Sequence, residues 1–214
     1  KPVQFPLIRL TCRHDTPLSC EQYDWLAITS PSSVRAFMEI IEYQKIDFRT
    51  IPRIMVCGRG TAAEFADYGI RVDAQPDEGF SAESLVALAG GLLKPGDKVL
   101  RVRSDKAGPD LAEALRETGA EIDDTIIYDN IRVEHEALPP FDAVFFASSS
   151  GVESLVGQWG IEALKDKTIV VIGKPTADAL QKLGLVPDVV ARESTVPHAI
   201  ESLARHLVSE QIRG

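Results

Sequence analysis

The sequence predicts an α/β fold with parallel sheets, and two observations carry this prediction. The first is a series of six short apolar runs, rich in β-branched and aromatic residues, that are separated by stretches with helical periodicity. Continuous apolar runs are typical of strands buried on both faces of a parallel sheet. The runs lie at 25–28, 54–57, 99–102, 125–128, 143–146 and 168–172. The second observation is an internal repeat.

Helices are predicted between these strands from apolar spacing and from the residues at helix ends. Four apolar residues at positions i, i+3, i+4 and i+7 give the first helix one apolar face: Val34, Phe37, Met38 and Ile41. A second helix follows Pro109, a residue suited to a helix start. Three helical stretches are followed by a glycine that fits a left-handed helix end: Gly69, Gly119 and Gly184.

The internal repeat relates two parts of the chain in order and in register. Residues 24–34 match residues 142–152 at an offset of 118, and residues 56–62 match residues 171–177 at an offset of 115. Ordered matches at nearly equal offsets predict a duplicated unit. The second copy opens with a strand and a helix that have no counterpart in the first copy. We therefore expect one strand and one helix to precede Lys1.

Composition narrows the classes of function. The formal net charge of −9 disfavours nonspecific binding to nucleic acid or anionic membranes, because both require a basic surface. No apolar run approaches the roughly 20 residues that a membrane-spanning helix needs. Cys12, Cys20 and Cys57 form no CxxC pair, and no histidine pattern accompanies them. We therefore expect reduced thiols in a cytoplasmic protein, without a disulfide framework or a zinc site.

Short turns rich in serine, threonine and glycine connect strands to helices at four places. These turns span 29–33, 58–61, 148–151 and 173–176. Free amide groups and hydroxyls at a helix N-terminus favour anions, and ligands of open parallel sheets bind at the carboxyl ends of strands. Helix capping explains any one turn as well, because Thr61 with Glu64 fits a capping box. Ser150 with Glu153 fits one too, so both interpretations stay open.

Two further segments carry polar residues that fit a ligand-binding or catalytic role. Arg101 and Arg103 lie two apart in a strand and point to the same side, with Ser104 beside them. Two cations and a hydroxyl suit carboxylates, although an ion pair with nearby acids fits equally well. Tyr128 either assists a leaving group or caps the core with its hydroxyl. The acidic pair at 123–124 fits a solvated turn before the strand that holds Tyr128.

Taken in order, these segments resemble the uroporphyrinogen-III synthase family. The resemblance rests on residues 25–34, 56–62, 125–128, 145–152 and 172–177, and it extends over essentially the whole chain. It implies two flavodoxin-like or Rossmann-like domains, derived from an internal duplication and joined by two crossing linkers. Domain B would be contiguous, at 8–132, and domain A would be split, at 1–7 and 133–214.

The implied reaction closes the linear tetrapyrrole hydroxymethylbilane into uroporphyrinogen III, with loss of water and inversion of ring D. The resemblance implies a cytoplasmic enzyme that needs no cofactor and no metal. We expect a monomer whose partner is this polycarboxylate substrate, and we expect no binding to nucleic acid or membrane. The alternative is a synthase-like regulatory module that binds a tetrapyrrole or another anion without catalysis.

The resemblance also assigns roles to residues. Tyr128 matches the family tyrosine proposed to assist departure of hydroxide. The hydroxyls that match the family's cleft belong to Ser30, Thr61, Ser148 and Thr176. With their neighbours in the turns, the predicted substrate-binding residues are Thr29, Ser30, Gly60, Thr61, Arg103, Ser104, Ser148, Ser149, Ser150, Lys174 and Thr176. The chain departs from the family pattern at Ser149, where many relatives have proline, and at Pro175, where relatives often have a hydroxyl.

Overall fold

A computed structural model describes residues 2–77 and 81–213, with side chains through residue 208. The chain divides into two compact units. We call Leu10–Asn130 the contiguous unit, and Lys1–Arg9 together with Ile131–Gly214 the split unit. Within the described residues, no helix is both long enough and apolar enough to cross a membrane.

The contiguous unit is built on a five-stranded sheet with the order β1-β5-β4-β2-β3, in which β2, β3, β4 and β5 pair in parallel. Its strands are β1 (Ile8–Cys12), β2 (Trp25–Ile28), β3 (Arg53–Val56), β4 (Lys98–Ser104) and β5 (Glu121–Arg132). Its helices are α1 (Pro31–Tyr43), α2 (Arg59–Asp67), α3 (Ala82–Leu92) and α4 (Asp110–Arg116), with a 3-10 turn at Phe48–Thr50.

The strand β2 shows why this sheet forms, because all four of its residues are buried. Leu26 and Ile28 pack in one apolar cluster with residues of α1, while Trp25 and Ala27 pack in another with residues of α3 and α4. A strand that is apolar on both faces is stable only between two helical layers. The apolar face predicted for α1 is confirmed, since Phe37 and its neighbours on that face are buried.

The split unit contains a smaller parallel sheet with the order β6-β7-β8. Its strands are β6 (Ala143–Phe146), β7 (Thr168–Val171) and the two-residue β8 (Val189–Val190), which the sequence did not predict. Its helices are α5 (Ser149–Trp159), α6 (Lys174–Lys182) and α7 (Val196–Arg213), with a 3-10 turn at Ile161–Leu164.

Corresponding positions of the two units have the same local geometry. The pair β2–β3 aligns Trp25 with Arg53, and the pair β6–β7 aligns the positions at the predicted offsets, Ala143 with Thr168. A carboxylate oxygen of Asp73 accepts from the amide of Ile54 at 2.7 Å, and Asp188 accepts from Ile169 at the same distance. The predicted helix-ending glycines are confirmed, with φ of 74° at Gly69, 88° at Gly119 and 79° at Gly184.

One local prediction is wrong. The acidic residues Asp123 and Asp124 do not form a solvated turn, because they belong to β5, which is much longer than the apolar run that predicted it. The strand tolerates them because each carboxylate has a partner. Asp123 accepts a hydrogen bond from the Tyr23 hydroxyl, and Asp124 is paired with arginines of β4. Tyr128 therefore lies within its strand rather than at its end.

Candidate functional site

The four predicted turns all lie at helix N-termini, and they are capped in two ways. Ser30 caps α1, its hydroxyl accepting from the amide of Ser33 at 3.1 Å. Ser148 caps α5 in the same manner, accepting from Gly151 at 3.2 Å. The caps of α2 and α6 are the glycines at 58 and 173, which provide no side-chain hydrogen bond. No side chain therefore caps the first turn of either helix, and the second residue of α6, Pro175, has no amide hydrogen.

The predicted capping boxes at Thr61 and Ser150 are wrong. Thr61 is the third residue of α2, and Ser150 is the second residue of α5, so both lie inside helices that begin earlier. Thr61 and its counterpart Thr176, the third residue of α6, are both buried. The amide of each donates to the carbonyl of the capping glycine, at 3.1 and 3.2 Å. Both threonines thus lie in the first turn of a helix whose cap is a glycine.

A chain of hydroxyls connects Tyr128 to the start of α1. The Tyr128 hydroxyl lies 3.3 Å from Ser33 Oγ, which lies 2.8 Å from Ser30 Oγ. Tyr128 is 4% exposed and Ser33 is 3% exposed, whereas Ser30 is half-buried. The sequence missed Ser33, although its position three residues after the capping serine places the two side chains one helical turn apart.

Other predicted residues lie beside this chain of hydroxyls. Ser104, the last residue of β4, is the cross-strand partner of Tyr128, and its Oγ accepts from the amide of Ala107 at 3.2 Å. The carbonyl of Thr29 accepts from the Cys57 thiol at 2.8 Å. Gly60 is exposed in the first turn of α2. The ends of β2 and β4, where such sheets bind ligands, are thus lined by hydroxyl groups.

Arg101 and Arg103 do point to one side of β4, as predicted, and the structure gives both an internal partner. Arg101 Nη1 and Arg103 Nε donate to the carboxylate of Asp124 at 2.9 and 3.0 Å. Arg103 Nη1 also donates to the carbonyls of Ser104 and Ala107. Burial is the main effect on Arg101 and lowers the pKa of its guanidinium. In the free protein both arginines are therefore paired with a nearby acid, which is the second of the two alternatives that the sequence left open.

In the split unit the turn residues contact one another. Ser149 Oγ donates to the carbonyl of Pro175 at 2.9 Å, which connects the turn before α5 to the turn before α6. Lys174 is largely exposed and pairs with Asp178 one turn along its helix, at 2.7 Å. Ser194, which the sequence missed, also reaches the start of α6. A Cβ on Gly173 would lie 2.7 Å from Ser194 Oγ, so any other residue here would require the Ser194 side chain to move.

A parallel α/β scaffold with hydroxyl-bearing turns at helix N-termini is typical of proteins that bind anionic small molecules. The family model described as uroporphyrinogen-III synthase HemD matches residues 1–201. The chain therefore belongs to the uroporphyrinogen-III synthase family and is an enzyme of tetrapyrrole biosynthesis. The resemblance seen in the sequence is confirmed.

Named relatives and solved structures agree with this assignment. A putative uroporphyrinogen-III synthase of Methanocaldococcus jannaschii is 26% identical over 196 residues, which cover 87% of this chain and 81% of that protein. The chloroplastic uroporphyrinogen-III synthase of Oryza sativa is 27% identical over 238 residues, which cover 99% of this chain and 76% of that protein. The crystal structure of the Helicobacter pylori enzyme, at 20% identity, matches with a TM-score of 0.67 over 94% of this chain and 91% of that one. It shows a shared fold.

Proposed function

We propose that the chain cyclises hydroxymethylbilane to uroporphyrinogen III, and that the hydroxyl chain Tyr128–Ser33–Ser30 supports the departure of hydroxide. The chain of hydroxyls is the observation that supports this proposal. It supplies polar hydrogens in a buried environment, at the edge of the sheet where ligands bind. Tyr128 is its closed end, and the half-buried Ser30 is its open end.

The chemistry explains why so little catalytic machinery is needed. The pyrrole nitrogen of ring A donates electrons as the C–O bond of the hydroxymethyl group breaks, and hydroxide leaves as water once it gains a proton. The substituted carbon of ring D then attacks the cationic methylene group, and a spiro intermediate rearranges to place ring D inverted. Hydrogen bonds to the leaving oxygen lower the barrier to its departure. Control of which carbon attacks requires that the flexible substrate be held in one conformation.

The turns at helix N-termini supply that control by binding substrate carboxylates. The N-termini of α2 and α6 have no side-chain cap, and the positive end of the helix dipole there favours carboxylates, with Thr61 and Thr176 in the first turn. The ammonium group of Lys174 lies exposed at one of these turns, where it is paired with Asp178 in the free protein. We assign the same function to Ser104 at the end of β4 and to the remaining predicted residues of the four turns: Thr29, Ser30, Gly60, Ser148, Ser149 and Ser150. Arg103 is assigned the weakest contribution, because Asp124 already compensates its charge.

The two compact units correspond, in this proposal, to the two domains of an internal duplication with linkers near 8–10 and 131–133. Support comes from the strand order β3-β2-β4-β5, which is the flavodoxin-like order, and from the matching registers of β2–β3 and β6–β7. We propose a cytoplasmic monomer that does not bind nucleic acid, in keeping with its net charge of −9.

The product isomer tests this function. The protein is incubated with hydroxymethylbilane generated in place by its synthase, and the products are oxidised and separated. We expect uroporphyrin III, whereas the blank without protein gives isomer I by uncatalysed closure. If the protein binds the substrate, as measured by quenching of its tryptophan fluorescence, yet only isomer I forms, the chain is a binding module and the catalytic proposal fails.

A further inference from the structure

Three side chains of different chemistry converge on the contiguous unit, away from the residues assigned above. Cys12 is the last residue of β1, His14 follows two positions later, and Glu39 lies on α1. One ligand atom of each lies within 4.8 Å of those of the other two. His14 Nε2 is 2.8 Å from Glu39 Oε1. Cys12 and His14 are half-buried, and Glu39 is exposed.

The segment that presents Cys12 and His14 is held in place by hydrogen bonds on both sides. The Gln44 amide nitrogen donates to the carbonyls of His14 and Thr16, at 2.9 and 2.7 Å. On the other side, the amide of Arg13 donates to the carbonyl of Ile127 in β5 at 2.8 Å. The backbone that carries Cys12 and His14 therefore needs little ordering when a ligand binds, which reduces the entropic cost of binding.

The rings and the space around the cluster also suit a bound ion. The ring of Tyr43, one turn beyond Glu39, lies 4.5 Å from the His14 imidazole and restricts its orientation. An open pocket of about 540 Å³ is lined by residues 12–17 and leaves room for water beside the cluster. The ligand set is a thiol, an imidazole and a carboxylate, which are the three side-chain types that zinc binds in proteins.

We propose that Cys12, His14 and Glu39 bind a zinc ion, with water in the fourth position. Zinc lies about 2.0–2.3 Å from such ligands in a tetrahedral arrangement, which requires ligand atoms roughly 3.3–3.8 Å apart. The His14–Glu39 contact must open by less than about 1 Å and the widest separation must close by a similar amount. The exposed Glu39 side chain can make both movements. Zinc would replace the Cys12 thiol proton, which passes to solvent.

The other two cysteines, Cys20 and Cys57, differ from Cys12 in their surroundings. The Cys57 thiol donates to the carbonyl of Thr29, and Cys20 is buried within the apolar cluster that contains α1. Within the residues that the structure describes, Cys12, His14 and Glu39 are the one group of three potential ligands close enough to share an ion. The ion would tie the end of β1 to α1, the helix whose N-terminus carries Ser30 and Ser33. We therefore expect zinc to stabilise the contiguous unit.

The test uses the full chain without a histidine tag, treated with a chelator and then titrated with zinc against a chromophoric competitor. We expect one zinc per chain, and a melting temperature that rises with zinc concentration. Cys12→Ser and Glu39→Gln should each weaken binding, the first by about 100-fold or more. The matched controls Cys57→Ser and His206→Asn should bind zinc as the parent protein does. Melting curves without metal confirm that each variant is folded.

Cobalt provides a second readout, because a cobalt–thiolate bond absorbs in the near ultraviolet. That band should appear in the parent and in Cys57→Ser, and it should be missing in Cys12→Ser. Glu39→Gln, an exposed change that cannot unfold the protein, should retain the band with weaker binding. Less than one zinc per chain at saturation, or equal binding by the parent and both ligand variants, would overturn the proposal.

Discussion

The two units share a scaffold but differ in the chemistry placed on it. Each has a serine-capped helix followed by a glycine-capped helix, and each glycine-capped helix has a buried threonine as its third residue. The contiguous unit adds Ser33 and Tyr128 at its serine-capped helix. The position equivalent to Ser33 in the split unit is Gly151, which has no hydroxyl. The comparison separates the substrate binding that we propose for both units from the assistance to the leaving group that we propose for the contiguous unit alone.

In each unit the turn before the serine-capped helix contacts the turn before the glycine-capped helix. Equivalent positions make this contact in both units, but the contact itself differs. In the contiguous unit a Cβ on Gly60 would lie 3.9 Å from Pro31 Cγ, so the two turns approach each other closely. In the split unit the equivalent residues are Ser149 and Pro175, joined by a hydrogen bond from the serine hydroxyl to the proline carbonyl. The proline thus lies in the first turn of the contiguous unit and in the second turn of the split unit, and the two turns of each unit are adjacent.

The largest effect on stability is expected at Asp124, because the buried arginine pair of the contiguous unit depends on it. Asp124→Asn leaves Arg101, with only 4% of its side chain exposed, without a counter-charge. We expect a loss of about 3 kcal/mol in the free energy of unfolding, measured in urea. The neighbouring Asp123→Asn is the control and should cost less than about 1 kcal/mol. Equal losses would show that Asp124 is an ordinary strand residue.

The largest effect on turnover is expected for Tyr128→Phe, which removes the closed end of the hydroxyl chain. We expect kcat to fall by about 100-fold, at the lower end for a proton donor because the hydroxymethyl group of a pyrrole leaves readily. The melting temperature should change little, since the ring remains in the core. Tyr23→Phe, which removes a hydroxyl bound to Asp123, serves as the control and should retain its turnover. An unchanged kcat in Tyr128→Phe would show that Tyr128 only packs in the core and has no role in turnover.

Ser33→Ala should have a smaller effect, because it interrupts the hydroxyl chain but leaves the Tyr128 hydroxyl in place. We expect kcat to fall by about tenfold, the upper range for one buried hydrogen bond, with KM nearly unchanged. In the Tyr128→Phe background the same substitution should have almost no further effect, since the two act as one chain. Additive effects would contradict this. Gly151→Ala tests the equivalent position of the split unit and should leave kcat near its starting value.

The smallest effects are expected at the paired threonines, and they should be equal. Thr61→Val and Thr176→Val each remove a buried hydroxyl from a helix N-terminus while keeping the shape of the side chain. We expect each to raise KM by about threefold, with kcat nearly constant. Thr50→Val, at an exposed 3-10 turn, is the control. A change in one unit alone would show that only that unit binds carboxylates through its glycine-capped helix.

Local patterns predicted the fold, and tertiary contacts decided the details of the site. The apolar runs fix the strands because buried strands must be apolar on both faces. The capping boxes failed because the helices start earlier, after Gly58 and after Ser148, which leaves Thr61 inside α2 and Ser150 inside α5. Ser33 and Glu39 were missed because their partners, Tyr128 and His14, lie 95 and 25 residues away. A sequence pattern carries no information on such pairings.

The central claim is that the protein directs closure to the inverted isomer by means of its hydroxyl chain and its paired turns. A single-turnover experiment with excess protein and hydroxymethylbilane measures this as the ratio of isomer III to isomer I. We predict isomer III almost alone with the parent protein. With Tyr128→Phe the fraction of isomer I should rise, because uncatalysed closure competes with a slower enzyme. Isomer I alone with the parent protein would contradict the account.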